Sequence, residues 1–193
     1  MKFKQDFRIG MREININNEI TNYGLLAYLV DVATYHSDTV SYGVKDVPVN
    51  KGAWLLMDWE LEVYKRAKFG DIIHTNTRAV SLEKTSFHCY RDFEVFDENN
   101  ELIATATSRW IYFSLESNKI VKLEPELLNI FNPEGDAKKS EEKLLKLREP
   151  ESFESVFEYQ VQRADIDVVK HMNNLNYLKL ANEAIPKEVF FEH

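Results

Sequence analysis

The residues of this sequence best suited to chemistry lie in one polar stretch, residues 165–174. It reads Asp-Ile-Asp-Val-Val-Lys-His-Met-Asn-Asn. Asp167 could polarise a water molecule or orient His171, and His171 could act as a general acid or base. Backbone N–H groups at the start of the following helix could stabilise a negatively charged oxygen. This combination is typical of a hydrolytic site.

The same stretch also has a purely structural interpretation. In that reading Asn173 or Asn174 caps the helix, since Asn is a favoured N-cap residue, and His171 packs beneath it. The residue types alone leave both interpretations open.

Two other histidines are weaker candidates. His36 falls within a helical pattern and is typical of a packed or hydrogen-bonded residue. His88 and Cys89 are adjacent on a predicted strand, so their side chains point to opposite faces and cannot form a catalytic dyad.

The polar stretch lies between a predicted strand and a predicted helix. Alternation indicates the strand and a three- or four-residue apolar spacing indicates the helix. The strand is marked by Phe153, Phe157, Tyr159 and Val161, and the helix by Leu175, Leu178, Ala181 and Ile185. The same order opens the chain, with a strand from Phe3 to Ile16, a polar loop, and a helix whose start Thr21 or Asn22 can cap.

The two strand-loop-helix segments can be aligned by a constant offset in residue number, the one that places Glu13 on Asp165. Ile14 then matches Ile166, Asn22 matches Asn174 and Asp31 matches Glu183. An internal duplication is the simplest explanation, with chance similarity of two amphipathic segments as the alternative. The first copy carries Glu13, Asn15 and Glu19 without a histidine, so we predict that it is not catalytic.

Between the two segments the apolar period changes to two, which predicts a run of antiparallel strands. We expect them at Ala53–Tyr64, Asp71–Leu82, Ser86–Phe96 and Leu102–Leu115. A long helix followed by such strands is an α+β arrangement, and a sheet curled around a central helix would bury both faces of that helix. We predict a first module at residues 1–128, a linker at 129–152 with a charged helix from Asp136 to Arg148, and a second module beginning at 153–193.

Composition excludes several classes of function. The 193 residues carry a net charge of -8 with a pI near 5.2, which disfavours nucleic acid and anionic membranes as partners. One basic cluster, Lys65, Arg66 and Lys68, could receive an acidic partner or could be a solvated hairpin tip. Cys89 is the single cysteine, and no signal peptide or spanning segment is evident, so we expect a cytoplasmic protein.

The stretch from Arg163 to Pro186 resembles the acyl-ACP thioesterases of plants and bacteria. The residues that carry the resemblance are Asp165, Asp167, His171, Asn173, Asn174, Tyr177, Glu183 and Pro186. The first module resembles the family as well, in Ala33, His36, Trp54, the 64–71 hairpin, Arg91-Asp92-Phe93 and residues 104–110. The resemblance covers nearly the whole chain.

The resemblance implies two tandem hotdog modules, each a long central helix wrapped by a curled antiparallel sheet. It implies hydrolysis of the thioester of a fatty acyl-acyl carrier protein, with the acyl chain held in the first module and catalysis in the second. Asp167 and His171 would be catalytic, and Asn173 and Asn174 would bind substrate. Acyl carrier protein would be the partner, and neither a cofactor nor a metal would be needed.

The sequence departs from the family pattern at two points. Val169 stands where the family has an asparagine, and a later Glu or Cys of the family would fall beyond His193. Because an oriented polar group in a hydrolytic site contributes about 10² to 10³ in rate, we expect binding with slow hydrolysis. The second copy stops after its first strand and helix, so it is predicted to be incomplete and the chain could pair as a homo-oligomer.

Two further functions remain open at this point. One is an acyl-CoA thioesterase or another enzyme of the hotdog fold, which a comparison of acyl-ACP with acyl-CoA would separate. The other is a non-catalytic module that binds an acyl chain or acyl carrier protein, which binding without turnover would identify.

Overall fold

The computed structural model describes residues 2–82, 84–135, 137–144, 148–152 and 157–192. The chain divides into two compact units, unit 1 at Met1–Leu145 and unit 2 at Lys146–His193.

Unit 1 is built on one antiparallel sheet. Its strands are β1 (Phe3–Arg8), β2 (Gly52–Val63), β3 (Ile72–Ala79), β4 (Cys89–Phe96), β5 (Leu102–Ser114) and β6 (Lys119–Val121). Their spatial order is β1-β3-β4-β5-β2, and β6 pairs with β5. The four long predicted strands are all present, each ending within a few residues of its expected bounds. The first strand is shorter than predicted, since it stops at Arg8 rather than Ile16 and residues 9–21 form a loop.

The sheet packs on helix α1 (Asn22–Thr39). Thr21 caps its start by accepting a hydrogen bond from the Gly24 N–H, as predicted. The buried face carries Leu25, Leu29 and Val32, of which the last two have no exposed surface. A helix this deeply buried requires a sheet that curls around it, and α1 contacts both β1 and β3. Unit 1 is therefore the expected α+β arrangement of a curled antiparallel sheet around one long helix.

The described part of unit 1 also contains three short α-helices, α2 (Val47–Asn50), α3 (Pro125–Leu128) and α4 (Ala137–Lys143), and 3₁₀ turns at Val44–Asp46 and Asn129–Phe131. Leu123, Leu128 and Phe131 are buried against the end of the sheet. The predicted linker helix is realised as α4, and residues 136 and 145–147 of that prediction lie outside the described ranges.

Unit 2 contains helices α5 (Asn174–Glu183) and α6 (Lys187–Glu192). The strand predicted from Phe153 to Val161 is not formed at residues 157–161, which lie outside any strand. The part of that prediction at residues 153–156 lies outside the described residues. The predicted helix ends at Glu183, before Ile185, and Pro186 separates it from α6.

No helix within the described ranges combines the length and the apolar character needed to cross a membrane.

Candidate functional site

The second loop, residues 165–173, is held together by the carboxylate of Asp167. One of its oxygens accepts hydrogen bonds from the backbone N–H of Val169 at 2.9 Å and of His171 at 3.1 Å. The Asp167 backbone N–H in turn donates to the His171 carbonyl at 2.8 Å. The loop thus brings the two predicted catalytic residues together, and Asp167 orders the His171 backbone directly.

The two predicted substrate-binding asparagines lie where the loop meets α5. Asn173 is the N-cap, and its side-chain oxygen accepts from the Leu175 N–H at 3.0 Å. Asn174 is the first residue of the helix. The Asn176 N–H donates to the Asn173 carbonyl. The capping interpretation is therefore confirmed for Asn173, and a substrate contact by either residue stays a prediction.

Asp165 is a structural anchor at the other end of the second loop. Its carboxylate accepts from the Gln162 N–H and the Tyr159 hydroxyl, each at 2.7 Å, and from the Asn176 amide at 3.3 Å. The Gln162 hydrogen bond, followed by that from Tyr159, holds the pKa of Asp165 below its ordinary value. Asp165 consequently stays ionised and fixes the base of the loop, a role that sequence alone did not assign to it.

The first loop, residues 13–21, repeats the hydrogen bonds that surround Asp167. Asn15 takes the place of Asp167: its side-chain oxygen accepts from Asn17 N–H at 2.9 Å and from Glu19 N–H at 3.1 Å. Its own N–H donates to the Glu19 carbonyl at 2.8 Å. The numbering shift is the predicted one throughout, since Asn15 and Asp167 stand as far apart as Glu13 and Asp165.

The backbone of the two loops agrees as closely as their hydrogen bonds. Isolated bridges join Ile14 to Ile20 and Ile166 to Met172. The backbone N–H groups of the two N-caps donate to Glu13 and Asp165 carbonyls, both at 2.8 Å. The left-handed residues also match, with φ of 63° at Asn18 and 64° at Lys170. This correspondence supports the predicted internal duplication.

His36 is part of the core rather than of an open site. It is 6% exposed, and its Nδ1 accepts a hydrogen bond from Arg91 Nη1 at 2.8 Å. Burial, followed by the nearby Arg91 charge, lowers the pKa of His36 to about 4. The imidazole also stacks on Phe3 and contacts the edge of Phe131. The packed, hydrogen-bonded role predicted for His36 is confirmed.

The remaining candidates do not form reactive groups. Cys89 is buried, and desolvation raises the pKa of its thiol to about 12, so it is protonated at neutral pH. In the basic cluster, Lys65 pairs with Asp97 and Glu101, and Arg66 donates to the Ile20 carbonyl. Two of its three charges are thus engaged within unit 1, which favours the hairpin-tip interpretation.

Groups of three or more His, Cys, Asp or Glu side chains able to hold a metal ion do not occur within the described part of the chain.

The architecture of unit 1 defines the class of protein. A long helix wrapped by a curled antiparallel sheet is the hotdog fold, and solved acyl-ACP thioesterases share it. An acyl-ACP thioesterase from Bacteroides thetaiotaomicron aligns at a TM-score of 0.76 and 17% identity, covering 98% of this chain and 75% of the other. The 12:0-ACP thioesterase from Umbellularia californica aligns at 0.81 and 16% identity, covering 98% and 76%.

The family follows from the sequence match. The family model of the acyl-ACP thioesterase N-terminal domain matches residues 1–131, and that of the C-terminal domain matches residues 148–193. The chain belongs to the acyl-ACP thioesterase family. It is 25% identical to the chloroplastic oleoyl-acyl carrier protein thioesterase of Coriandrum sativum, an alignment covering all of this chain and 56% of that protein. The chain thus spans about half the length of the curated relatives it matches.

Proposed function

We propose that this protein hydrolyses the thioester of a fatty acyl-acyl carrier protein and releases the free fatty acid for lipid synthesis. The observation that carries the proposal is the match, in order, of both domains of the acyl-ACP thioesterase family along one chain. The first module would hold the acyl chain against α1, and the second loop would present the reacting groups.

The second loop offers the chemistry that this reaction needs. His171 would remove a proton from a water molecule as its oxygen attacks the thioester carbonyl, and would later protonate the departing thiolate. Asp167 fixes the His171 backbone, and its carboxylate would stabilise the imidazolium that forms. Of the backbone N–H groups that begin α5, that of Leu175 donates to the Asn173 side chain and that of Asn176 donates to the Asn173 carbonyl. The backbone N–H of Asn174 would therefore stabilise the oxyanion.

Val169 limits the expected rate. Its backbone N–H supports the Asp167 carboxylate, but its side chain can neither donate nor accept a hydrogen bond. The corresponding residue of the first loop is Asn17. We therefore expect slow turnover, lower by about 10² to 10³ than with an oriented polar group at this position.

The test is release of free fatty acid by the purified chain from acyl-ACP and from acyl-CoA of the same chain length. Faster release from acyl-ACP supports the proposal. Preference for acyl-CoA would instead favour a CoA thioesterase of the same fold. Saturable binding of acyl-ACP with no release from either substrate would identify a non-catalytic binding module.

We also propose a cytoplasmic location and self-association. A single buried cysteine suits a reducing compartment, although the plant relatives are named chloroplastic. Self-association is supported by the exposed apolar side chains of unit 2, among them Tyr177 at 62% and Val168 at 59%. Cell fractionation and sedimentation velocity test the two proposals separately.

A further inference from the structure

Helix α4 is anchored to the sheet although its sequence offers little to anchor it. It reads Ala-Lys-Lys-Ser-Glu-Glu-Lys and has no large apolar residue. Seven residues are too few for an isolated helix to be stable in water. Ser140 is nevertheless only 2% exposed. Polar contacts must therefore hold this helix in place.

The contact that buries Ser140 is with Asp92 on β4. The Ser140 hydroxyl donates to one Asp92 carboxylate oxygen at 3.2 Å. Asp92 also accepts from the Thr107 hydroxyl at 2.9 Å and from Arg78 Nη2 at 3.2 Å. Its side chain is only 13% exposed. Side chains of both neighbouring strands thus fix the Asp92 carboxylate that accepts the hydrogen bond from Ser140.

A second contact supports the first. Glu141, the next residue of α4, interacts with the hydroxyl of Tyr90. Burial of Tyr90 is the main cause that raises its pKa, and the negative charge of Glu141 is the second. Tyr90 and Asp92 are two residues apart on β4 and so lie on the same face of the sheet. That face is opposite to the one on which Arg91 meets His36 of α1. Helix α4 therefore lies on the outer face of the sheet.

The outer face is polar across four strands. One row of directly paired residues runs Arg78, Asp92, Thr107, Glu60, and the next runs Asn76, Glu94, Thr105, Glu62. These rows line a groove of about 430 Å³, which Lys143 at the end of α4 also lines. The side chains of these two rows offer α4 mainly polar contacts, and the hydrogen bond from Ser140 to Asp92 is one of them.

We propose that Asp92 is a positioning residue that clamps α4 to the outer face of the first module. The clamp fixes the point at which the chain leaves the sheet on its way to unit 2. The functional part of this inference rests on the proposed hydrolysis: we expect that reaction to slow when the linker is released from the sheet. Small misplacements of reacting groups cost up to about 10²-fold in rate.

Limited trypsin digestion tests the clamp without reference to activity. In Ser140→Ala we expect cleavage after Lys139 and Lys143 to rise about fivefold relative to cleavage after Lys68, because one hydrogen bond is lost. Ser140→Thr keeps the hydroxyl and should restore the wild-type ratio. Thr107→Val removes a different bond to Asp92 and leaves the Ser140 hydroxyl in place, so it should raise the ratio less than Ser140→Ala does. Equal ratios in wild type and Ser140→Ala would overturn the proposal.

A double-mutant cycle tests whether Ser140 acts through Asp92. Asp92→Ala should raise linker cleavage at least as much as Ser140→Ala, and the double variant should be no worse than Asp92→Ala alone. Additive effects would show that Ser140 acts elsewhere and would contradict the assignment to Asp92.

Kinetics with acyl-ACP separate positioning from a merely structural role. We expect kcat of Ser140→Ala to fall by up to about fivefold, in proportion to the expected release of the linker, with KM within a factor of two, and Ser140→Thr to recover. Increased linker cleavage with unchanged kcat would overturn the positioning role. If the wild-type chain releases no fatty acid but the digestion results hold, the clamp is supported and the proposed hydrolysis is wrong.

Discussion

The two loops at residues 13–21 and 165–173 share one framework and differ in the side chains that it carries. Asn15 and Asp167 accept the same two backbone hydrogen bonds at the same distances. Where the second loop places His171, the first places Glu19. The framework therefore does not require a catalytic residue, since one loop forms it without a histidine. What distinguishes the second loop is the charge of its acceptor and the imidazole beside it.

The helices that follow the loops differ in burial. Helix α1 buries Leu25, Leu26 and Leu29 beneath the sheet, whereas Leu175 is the single buried residue that the structure describes in α5. Tyr177, which corresponds to Leu25, is 62% exposed. Equal local hydrogen bonding thus accompanies very different packing, and the loop geometry does not depend on a buried helix.

Replacing the distinguishing residue of each loop should give the largest contrast. His171→Ala removes the general base and should lower kcat for acyl-ACP hydrolysis by about 10³-fold. Glu19→Ala is the matched change in the first loop and should leave kcat within a factor of two. Equal losses in the two variants, measured as initial rates of fatty acid release, would remove His171 from the mechanism.

The buried helix should make unit 1 sensitive to acid through His36. In the unfolded chain this histidine takes up a proton near its ordinary pKa of 6.5. In the folded protein its pKa is about 4, so it stays neutral until the pH falls to that value. Stability is therefore unaffected above pH 6.5 and falls by on the order of 3 kcal/mol as the pH drops to 4. His36→Gln should lose this component. Urea unfolding at several pH values measures it, and parallel curves for both proteins would contradict the assignment.

Exchanging the side chains of Asp167 and Asn15 separates two contributions of Asp167, its negative charge and its hydrogen bonds to the loop backbone. Asp167→Asn reproduces the side chain that the first loop already uses, so the loop should keep its hydrogen bonds while kcat falls about 10²-fold for want of the charge. Asn15→Asp, the reverse change, should alter neither kcat nor the unfolding midpoint appreciably. A stability loss in Asp167→Asn comparable to that of Asp167→Ala would show that the two acceptors are not equivalent.

Placing the corresponding residue of the first loop at position 169 of the second loop should raise kcat. Val169→Asn introduces the residue found at Asn17 and should raise kcat about tenfold, which is part of the 10² to 10³ expected from a fully oriented polar group at this position. Asn17→Val is the control and should leave the rate unchanged. An unaltered rate in Val169→Asn would mean that this position does not limit turnover.

Sequence predicted the elements that repeat or alternate, because periodic burial leaves a visible pattern. The four long strands follow from it, whereas the cap at Thr21 or Asn22 and the correspondence of the two loops follow from the residue types at these positions. It did not predict that Phe157, Tyr159 and Val161 lie outside any strand, since alternation marks a possible strand but pairing needs a partner. Nor did it reveal the Asp92–Ser140 contact, because a single hydrogen bond between residues far apart in the chain leaves no periodic trace.

Lys170 shows what the shared framework demands of its residues. Its φ of 64° is the same as that of Asn18, but asparagine tolerates this left-handed conformation and lysine does so at a cost of about 1 kcal/mol. Lys170 keeps this conformation because the surrounding hydrogen bonds hold the turn in place. The turn that carries His171 thus holds a small amount of backbone strain, and exchanging Lys170 for asparagine offers a way to relieve it while leaving every reacting group in place.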